Sequence, residues 1–320
     1  MTPRISIIIP SYNDGNYLQP CLDSVLGQTF QEIEVIVVDD ASADDTREIA
    51  IDTGDARVSY YRHRENLGPA AARNTGLHHA RGEYICAFDA DDVMKPSNLE
   101  AKVTALCGHP DVALVSSNAE YIDGSGQRLR FHHRPAADER LLSRPFERLL
   151  FDNFICGPSV VARAEAIRAV GSYDPKLRQG EDWDLWLRIA LRYDFLHLGM
   201  PLIEKRVHAG SSARENISLH RDLYTLRRVL SKLATSLPEP HPPLSKVYWS
   251  NYFRITGQKL GLLPLNEVFK LYLAGLGDAP AHLFTRANWI FLIKAAAHAA
   301  LPGRTVQWLR GQKHRLLGVR

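Results

Sequence analysis

Residues 84–92 read YICAFDADD, an apolar run that ends in three carboxylates. A short, continuously apolar run is typical of a strand buried in a parallel sheet. Such sheets bind ligands at the carboxyl ends of their strands, which is where Asp89, Asp91 and Asp92 lie. Neighbouring carboxylates repel one another unless a cation lies among them, and Mg²⁺ commonly takes one or two carboxylates together with substrate phosphates. The stretch therefore predicts a metal-bound diphosphate. The alternative is a solvated acidic turn before the helix that Pro96 opens.

The first hundred residues alternate between strand and helix patterns. Strand patterns fall near 5–9, 34–38, 58–61 and 83–88, and helix patterns near 17–27, 44–52, 69–80 and 96–107. This alternation predicts a parallel sheet covered on both faces, with right-handed crossovers. The sequence has no Gly-x-Gly-x-x-Gly after the first strand and no Walker loop, so a metal would have to hold the phosphates.

The rest of the chain has a less regular pattern. Its predicted elements are strands at 112–116 and 159–162, a tight turn at 123–126, a loop rich in Arg and His at 127–138, and a helical stretch at 141–150 that Pro145 reopens. From residue 215 onward the periodicity is helical, apart from a stiff extended linker at 238–243.

The composition is that of an ordinary globular protein, with 45% hydrophobic and 23% charged residues in a chain of 320. The four cysteines form no CxxC pair, which favours small buried thiols in a reducing compartment over a disulfide frame or a zinc site. They are Cys21, Cys86, Cys107 and Cys156. Residues 1–4 carry no signal-peptide pattern, and the best apolar candidate, 289–301, is too short to span a bilayer. We therefore expect a cytoplasmic protein.

The charges divide unevenly along the chain. Residues 1–214 contain 24 Lys and Arg against 31 Asp and Glu, a balance of −7, whereas residues 215–320 contain 15 against 5, a balance of +10. The basic part could be a solvated helical cap whose Lys and Arg stems cover apolar surface. It could equally lie on a membrane, because the apolar cluster 289–293 is followed by basic residues that suit an anionic leaflet. These are Lys294, Arg304, Arg310, Lys313 and Arg315.

From this pattern we expect residues 280–320 to bring the protein to the inner face of the membrane as a peripheral contact. We do not expect a nucleic-acid partner, because the acidic part of the chain would repel phosphate backbones and no nucleic-acid-binding module is recognisable.

Four other blocks accompany the acidic stretch. They read ISIIIPSYND at 5–14, EVIVVDDAS at 34–42, NLGPAAARN at 66–74 and GEDWDLWLR at 180–188. In this order, and with residues 84–92 between the last two, they resemble the family 2 glycosyltransferases over about residues 4–214. The resemblance implies an α/β fold of the GT-A type, which is a Rossmann-like, mostly parallel sheet flanked by helices, with a C-terminal helical extension. It also implies a nucleotide-sugar-binding half at 1–110, an acceptor-binding half at 111–214 and a basic helical region at 215–320.

The pair Glu181-Asp182 follows Gly180 at the start of a helical pattern, where the macrodipole stabilises a carboxylate. The alternative is the acidic bias that is common at helix starts. By the resemblance, Asp182 is the catalytic base of an inverting transfer, which deprotonates the acceptor hydroxyl as it attacks the anomeric carbon. Glu181 and Trp183 are expected to contact the acceptor, with Trp183 stacking on a sugar and Trp186 lying in the core.

The resemblance also assigns the donor and metal sites. The nucleotide-sugar-binding residues are Pro10, Tyr12, Asp14, Asp40, Arg73, Asp89 and Ala90, and the metal ligands are Asp91 and His208. The expected cofactor is a divalent metal, Mn²⁺ or Mg²⁺, which neutralises the charge that develops on the leaving nucleoside diphosphate. Taken alone, Pro10 and Tyr12 could merely shape a turn, and Arg73 could be a solvated helix charge. His208 could likewise be structural or solvated.

The expected activity is therefore an inverting, metal-dependent transfer of a sugar from a nucleoside diphosphate sugar, preferably a UDP-sugar. The acceptor would be a hydroxyl of a glycan or of a lipid-linked molecule in the synthesis of cell-surface polysaccharide or lipopolysaccharide. One alternative is a catalytically silent scaffold of a glycan assembly complex. Another is a phosphatase of the haloacid dehalogenase type, because residues 89–93 also match Asp-x-Asp-x-Val. That class needs a later acidic pair, for which Gly277-Asp278 is the only candidate.

Overall fold

The computed structural model describes residues 2–129, 140–143, 145–151, 153–208, 219–234 and 251. The chain divides into two compact units, Met1–Glu215 and Asn216–Arg320. The described strands of the first unit are β1 Ile5–Ser11, β2 Ile33–Asp39, β3 Val58–Arg62, β4 Tyr84–Ala87, β5 Val93–Met94, β6 Val112–Asp123, β7 Arg128–Leu129, β8 Arg140–Leu142, β9 Val161–Arg163 and β10 Asp194–Val207. Its described helices are α1 Gly15–Leu26, α2 Thr46–Asp52, α3 Pro69–His79, α4 Asn98–Gly108, α5 Phe146–Phe151, α6 Ala164–Val170 and α7 Glu181–Ala190. In the second unit, α8 spans Leu219–Leu233.

The strands form one sheet in the order β3-β2-β1-β4-β9-β6-β10-β5, with β7 on β6 and β8 on β10. The pairs β3–β2, β2–β1, β1–β4 and β6–β10 are parallel, and the short strands β5, β7, β8 and β9 pair in the antiparallel sense. Strands β1 and β2 are buried over almost their whole length, because helices cover the faces of a parallel sheet. The predicted α/β architecture with a mostly parallel sheet flanked by helices is confirmed.

Two local predictions between residues 140 and 163 are wrong. The strand predicted at 159–162 begins only at Val161, because Gly157–Ser159 forms a 3₁₀ turn. The helix predicted at 141–150 begins only at Phe146. Pro145 cannot continue a helix from the preceding residues, since it has no N–H to donate. Leu141 and Leu142 instead extend the sheet by pairing with β10.

The tight turn predicted at 123–126 joins β6 to β7. The Asp123 carboxylate accepts from the backbone N–H groups of Ser125 at 2.9 Å and of Gln127 at 3.0 Å. Gly126 has a φ of 85°, a left-handed value that glycine adopts without strain. This confirms the predicted turn.

Gly76 on α3 packs directly on β1. A methyl group at this position would lie 2.2 Å from Cγ2 of Ile8, which is fully buried. In an open helix Gly→Ala stabilises by about 1 kcal/mol, but overpacking a close-packed core costs typically 1–3 kcal/mol. We expect Gly76→Ala to lower the free energy of unfolding measured in urea. Gly108→Ala is the control, because a methyl there meets nothing within 4 Å, and equal or higher stability of the Gly76 variant would contradict the packing argument.

The described part of the second unit is an amphipathic helix, α8. Its apolar side is buried at Leu226, Val229, Leu230 and Leu233. No described helix is long and apolar enough to cross a membrane. Residues 280–320, which carry the expected membrane contact, and Gly277-Asp278 lie outside the described residues.

Candidate active site

The carboxyl ends of β1, β2 and β4 lie at one edge of the sheet, because these strands run parallel. Pro10 is the penultimate residue of β1, Asp40 follows β2 directly, and Asp89 comes two residues after β4. The backbone N–H of Asp40 donates to the carbonyl of Ser11 at 2.9 Å. Residues from three separate sequence blocks are thus collected where ligands bind in sheets of this kind.

The turn after β1 carries Tyr12 and Asp14. The Tyr12 backbone N–H donates to Oδ2 of Asp14 at 3.0 Å, while Tyr12 itself is 49% exposed. An exposed aromatic ring at this edge offers a stacking face for a planar ligand. Burial raises the pKa of Asp14 to about 7, in spite of the Tyr12 bond. A cation bound nearby would favour its ionised form.

Asp40 holds the loop that leads into α3. It is 3% exposed, and its carboxylate accepts from the backbone N–H groups of Leu67 at 2.9 Å and Gly68 at 2.7 Å. His63 Nδ1 lies 2.7 Å from Oδ1 of the same carboxylate. Gly68 has a φ of 93° and precedes Pro69, the first residue of α3. Asp40 therefore holds this loop in place by accepting from its backbone N–H groups. A contact between Asp40 and a ligand would be a second role of the same carboxylate.

Three carboxylates follow β4, and one oxygen from each of Asp89, Asp91 and Asp92 lies within 4.8 Å of the others. Two residues of β10 approach them. Lys205 Nζ lies 3.4 Å from Asp89 Oδ2 and 3.5 Å from Asp92 Oδ2, and the backbone N–H of Arg206 donates to Asp92 at 2.8 Å. The cluster is thus held between the end of β4 and the end of β10, which are far apart in the sequence.

The three carboxyl groups differ in their electrostatic surroundings. Burial raises the pKa of Asp92 to about 8, and burial followed by the charge of Asp89 raises the pKa of Asp91. Burial opposes ionisation of Asp89 as well, but the charges of Lys205 and Arg73 outweigh it and lower the pKa of this group. Asp89 is therefore compensated by the protein's own cations, whereas a further positive charge would favour the ionised forms of both Asp91 and Asp92.

Asp91 and His208 form the part of the cluster that suits a divalent cation. His208 Nε2 lies 3.0 Å from Asp91 Oδ2, so an imidazole nitrogen and a carboxylate oxygen already converge. Oxygen ligands suit Mg²⁺ and Mn²⁺, and Mg²⁺ completes its octahedron with water and substrate phosphates. The donor set therefore fits such an ion.

The His208 ring is oriented by a neighbour on α1. Its centroid lies 4.5 Å from that of Tyr17, and the Arg206 guanidinium lies 4.9 Å from the same Tyr17 ring. Arg206 Nε also donates to the carbonyl of Asp91 at 2.8 Å. Sequence reasoning missed Tyr17, because a tyrosine within a helical pattern carries no signal of a contact almost 200 residues away.

Arg73 on α3 links the acid cluster to the start of α7. Its guanidinium donates to Asp89 at 2.9 Å and forms an ion pair with Glu181. Burial alone would lower the pKa of Arg73, but the charges of Glu181 and Asp89 raise it. Glu181 is only 7% exposed and is neutralised by Arg73. Its contact with an acceptor stays a prediction.

Asp182 is the second residue of α7, which follows Gly180, whose φ of 70° turns the chain into the helix. Its Oδ1 accepts from the backbone N–H of Trp183 at 2.6 Å. Burial, followed by the charge of Glu181, raises the pKa of Asp182 to about 6. A carboxyl group with a pKa near the working pH is suited to accept a proton.

Two other predicted site residues are buried in the structure. Trp183 is 7% exposed and its indole N–H donates to the carbonyl of Leu149 at 2.7 Å, so its ring packs in the core. Its stacking on an acceptor sugar stays a prediction. Ala90 is also buried, with its methyl group in the hydrophobic core. Trp186 lies in the core as predicted.

Gly157 leaves room for the Asp182 carboxylate. A methyl group at residue 157 would lie 2.9 Å from Oδ2 of Asp182, so the carboxylate would have to move. If Asp182 is the base that the resemblance implies, we expect Gly157→Ala to lower the reaction rate, because a displacement of about 1 Å in a reacting group can cost about 10²-fold. Steady-state rates test this, with Gly108→Ala as the control. Full turnover of the Gly157 variant would contradict it.

Comparisons with known proteins identify relatives. A family model described as glycosyl transferase family 2 matches residues 6–170. An uncharacterized glycosyltransferase of Rickettsia prowazekii is 31% identical over 232 residues, which cover 70% of this chain and 71% of the relative. Another from Rickettsia felis is 32% identical over 231 residues, 69% of this chain. The match covers only 36% of that longer protein.

Two solved structures share the fold. S. aureus TarS 1–349 in complex with UDP-GlcNAc has a TM-score of 0.67 at 17% identity, and covers 92% of this chain and 91% of its own. The mannosyltransferase PcManGT from Pyrobaculum calidifontis in complex with GDP-Man and Mn²⁺ has a TM-score of 0.59 at 20% identity, and covers 98% of this chain and 85% of its own. Both are similar to this chain in fold, which is of the GT-A type.

Proposed function

Because the chain belongs to the family 2 glycosyltransferases, we propose that it transfers a sugar from a nucleoside diphosphate sugar to a hydroxyl group with inversion at the anomeric carbon. Asp182 is the base in this proposal, and Asp91 and His208 hold a divalent cation. Because the chain belongs to this family, we reject the phosphatase alternative, which rested only on the match of residues 89–93 to Asp-x-Asp-x-Val. The experiments below also distinguish this enzyme from a catalytically silent scaffold.

One observation carries the proposal: Arg73 pairs with Asp89 of the acid cluster and with Glu181, the neighbour of Asp182. One guanidinium group therefore joins the donor-side carboxylates to the residue that precedes the proposed base. An inverting transfer needs this proximity, because the base must activate the acceptor on the face of the sugar opposite the leaving diphosphate.

Each group has a task within this arrangement. The exposed Tyr12 ring stacks on the nucleobase, with Pro10, Asp14 and Asp40 around the nucleoside. Arg73 and Lys205 face the diphosphate from two sides. The cation, when bound, supplies charge neutralisation on the leaving diphosphate.

Asp182 accepts the proton of the acceptor hydroxyl as that oxygen forms its bond to the anomeric carbon. The hydroxyl belongs to a glycan or to a lipid-linked molecule, and a role in cell-surface polysaccharide synthesis is part of the proposal. The basic residues 280–320 would bring the enzyme to the membrane surface where a lipid-linked acceptor lies.

A thermal-shift screen of nucleotide sugars with and without Mn²⁺ tests the proposal. A donor at 100 times its Kd stabilises a protein by about 2.7 kcal/mol, which raises Tm by several degrees. We expect such a shift only with the metal present, and UDP-GlcNAc and GDP-Man are the first donors to test. No shift with any nucleotide sugar and either Mn²⁺ or Mg²⁺ would overturn the proposal.

The stereochemistry is tested separately. With the donor that stabilises the protein, NMR of the product should show an anomeric configuration opposite to that of the donor. Retention would contradict the role of Asp182. Binding of the donor without transfer or hydrolysis would favour the scaffold alternative.

A further inference from the structure

The segment of residues 173–182, which ends in Asp182, is held by α3 and by the loop before it at three points. The contacts pair Asn74 with Tyr173, Arg73 with Glu181, and Asn66 with Arg178. Two of the three involve residues to which neither the sequence nor the proposed function gave any role. We call residues 173–182 the base-bearing segment.

Asn74 makes the most specific of these contacts. Its Nδ2 donates to the carbonyl of Tyr173 at 2.9 Å, and its Oδ1 accepts from the backbone N–H of Tyr173 at 3.0 Å. One side-chain amide thus satisfies both backbone groups of a buried residue, as a neighbouring strand would. A buried backbone group without a hydrogen-bond partner costs free energy, so these two bonds fix the position of the base-bearing segment relative to α3.

Arg178 makes the second contact, near the protein surface. Its guanidinium donates to Asn66 Oδ1 at 2.7 Å and to the Asn66 carbonyl at 3.3 Å. The side chain lies across Gly68, where a methyl group would be 2.8 Å from Arg178 Cδ. This is the same loop that Asp40 holds through the backbone of Leu67 and Gly68. Helix α3 and its entry loop therefore join the proposed nucleoside-binding edge to the base-bearing segment.

We propose that Asn74 is a positioning residue for catalysis, which acts through the backbone of Tyr173 to hold Asp182 at its place beside the donor site, with Arg178 as a weaker second support. This inference rests on the proposed function, since it takes Asp182 as the base. Asparagine is a weak helix former in the interior of a helix such as α3. Its two bonds to Tyr173 give the residue a tertiary role that alanine could not perform.

Two measurements without any substrate test the proposal on the full chain. Hydrogen exchange followed by mass spectrometry reports on peptides that cover the base-bearing segment. Titration of the aspartate carboxyl carbons by NMR, with Asp182→Asn used to assign the signal, reports the pKa of Asp182. The variants are Asn74→Ala, Arg178→Ala and, as the control on the same helix, His78→Ala, whose side chain is exposed and makes a ring contact with His79.

For Asn74→Ala we expect exchange in the base-bearing segment to be about tenfold faster, as for the loss of buried hydrogen bonds. Exchange in β1 and β2 should not change. We also expect the pKa of Asp182 to fall from about 6 towards the usual value of an aspartate, because the carboxyl group becomes more hydrated. Arg178→Ala should move both quantities in the same direction by less, and His78→Ala should move neither.

An Asn74 variant with unchanged exchange and an unchanged Asp182 pKa would overturn the proposal. If Asn74→Ala does not fold, the Arg178 variant decides, because its side chain is exposed; no change in either quantity would then overturn the proposal. Full turnover of Asp182→Asn would instead refute the proposed base. The two failures are distinguishable, because exchange and titration require neither donor nor acceptor.

Discussion

Asp182→Asn is expected to lower the transfer rate by about 10²–10⁴-fold, the usual contribution of a general base. The amide has nearly the shape of the carboxylate but cannot accept the hydroxyl proton. Affinity for the nucleotide should not change. The Asp182 carboxylate accepts from the Trp183 backbone N–H and lies next to Gly157. It makes no described contact with Asp40 or Asp91. Rates and UDP titrations measure the two effects. Asp52→Asn, which removes an exposed carboxylate at the end of α2, is the control.

The same residue predicts how the rate depends on pH. Burial and the charge of Glu181 raise the pKa of Asp182 to about 6, and only the ionised form is a base. We therefore expect kcat/KM to fall by about tenfold per pH unit below pH 6. A profile that stays flat down to pH 4, or wild-type turnover of the Asn variant, would refute the assignment.

Asp91→Asn is expected to abolish the metal dependence of nucleoside diphosphate binding. Among the three clustered carboxylates, Asp91 is the one whose nearest partner is His208, while Lys205 lies nearer to the other two. Loss of a residue that merely supports a metal ligand commonly costs about 10–100-fold in metal affinity, so loss of a ligand should cost at least as much. Calorimetry of UDP with and without Mn²⁺ measures this.

In the wild-type protein Mn²⁺ should strengthen the binding of UDP, whereas in the Asp91 variant the two titrations should coincide. Asp52→Asn again serves as the control, since it removes one negative charge far from the cluster in the sequence and should retain the metal effect. A metal effect of equal size in the Asp91 variant and the wild-type protein would show that this carboxylate is not a ligand.

The sequence was most informative where local patterns decide the structure. The first four strands begin and end within two residues of the predicted bounds. A short, continuously apolar run bounded by polar turns is rarely compatible with any structure other than a buried strand. Strand β6 was predicted to end at residue 116 but continues to Asp123. Its polar middle is buried, and the Ser116 hydroxyl lies 2.9 Å from His197 Nδ1 on β10. A strand that buries polar groups through partners about 80 residues away carries no local signal.

The candidate site shows the same limit. Glu181 and Asp182 are adjacent in the sequence, but successive helical residues point about 100° apart. Glu181 faces Arg73, whereas the Asp182 carboxylate lies against Gly157. Neither Arg73 nor Gly157 is near them in the sequence, so no local pattern could tell the paired acid from the candidate base. The same holds for Lys205, whose partners Asp89 and Asp92 lie more than 110 residues earlier.

The position of β9 has a consequence for the synthesis of the protein. Strands β1 to β4 are complete at residue 87, but β4 pairs on its outer side with β9, at Tyr84–Arg163 and Ile85–Ala162. The ribosome adds about 5–20 residues per second, so the 76 residues between positions 87 and 163 take roughly 4–15 s. During that interval the nascent sheet ends in a highly apolar strand with unpaired N–H and C=O groups, which is a template for association with other chains. A fragment that ends before residue 161 keeps this edge open permanently and is therefore prone to aggregate.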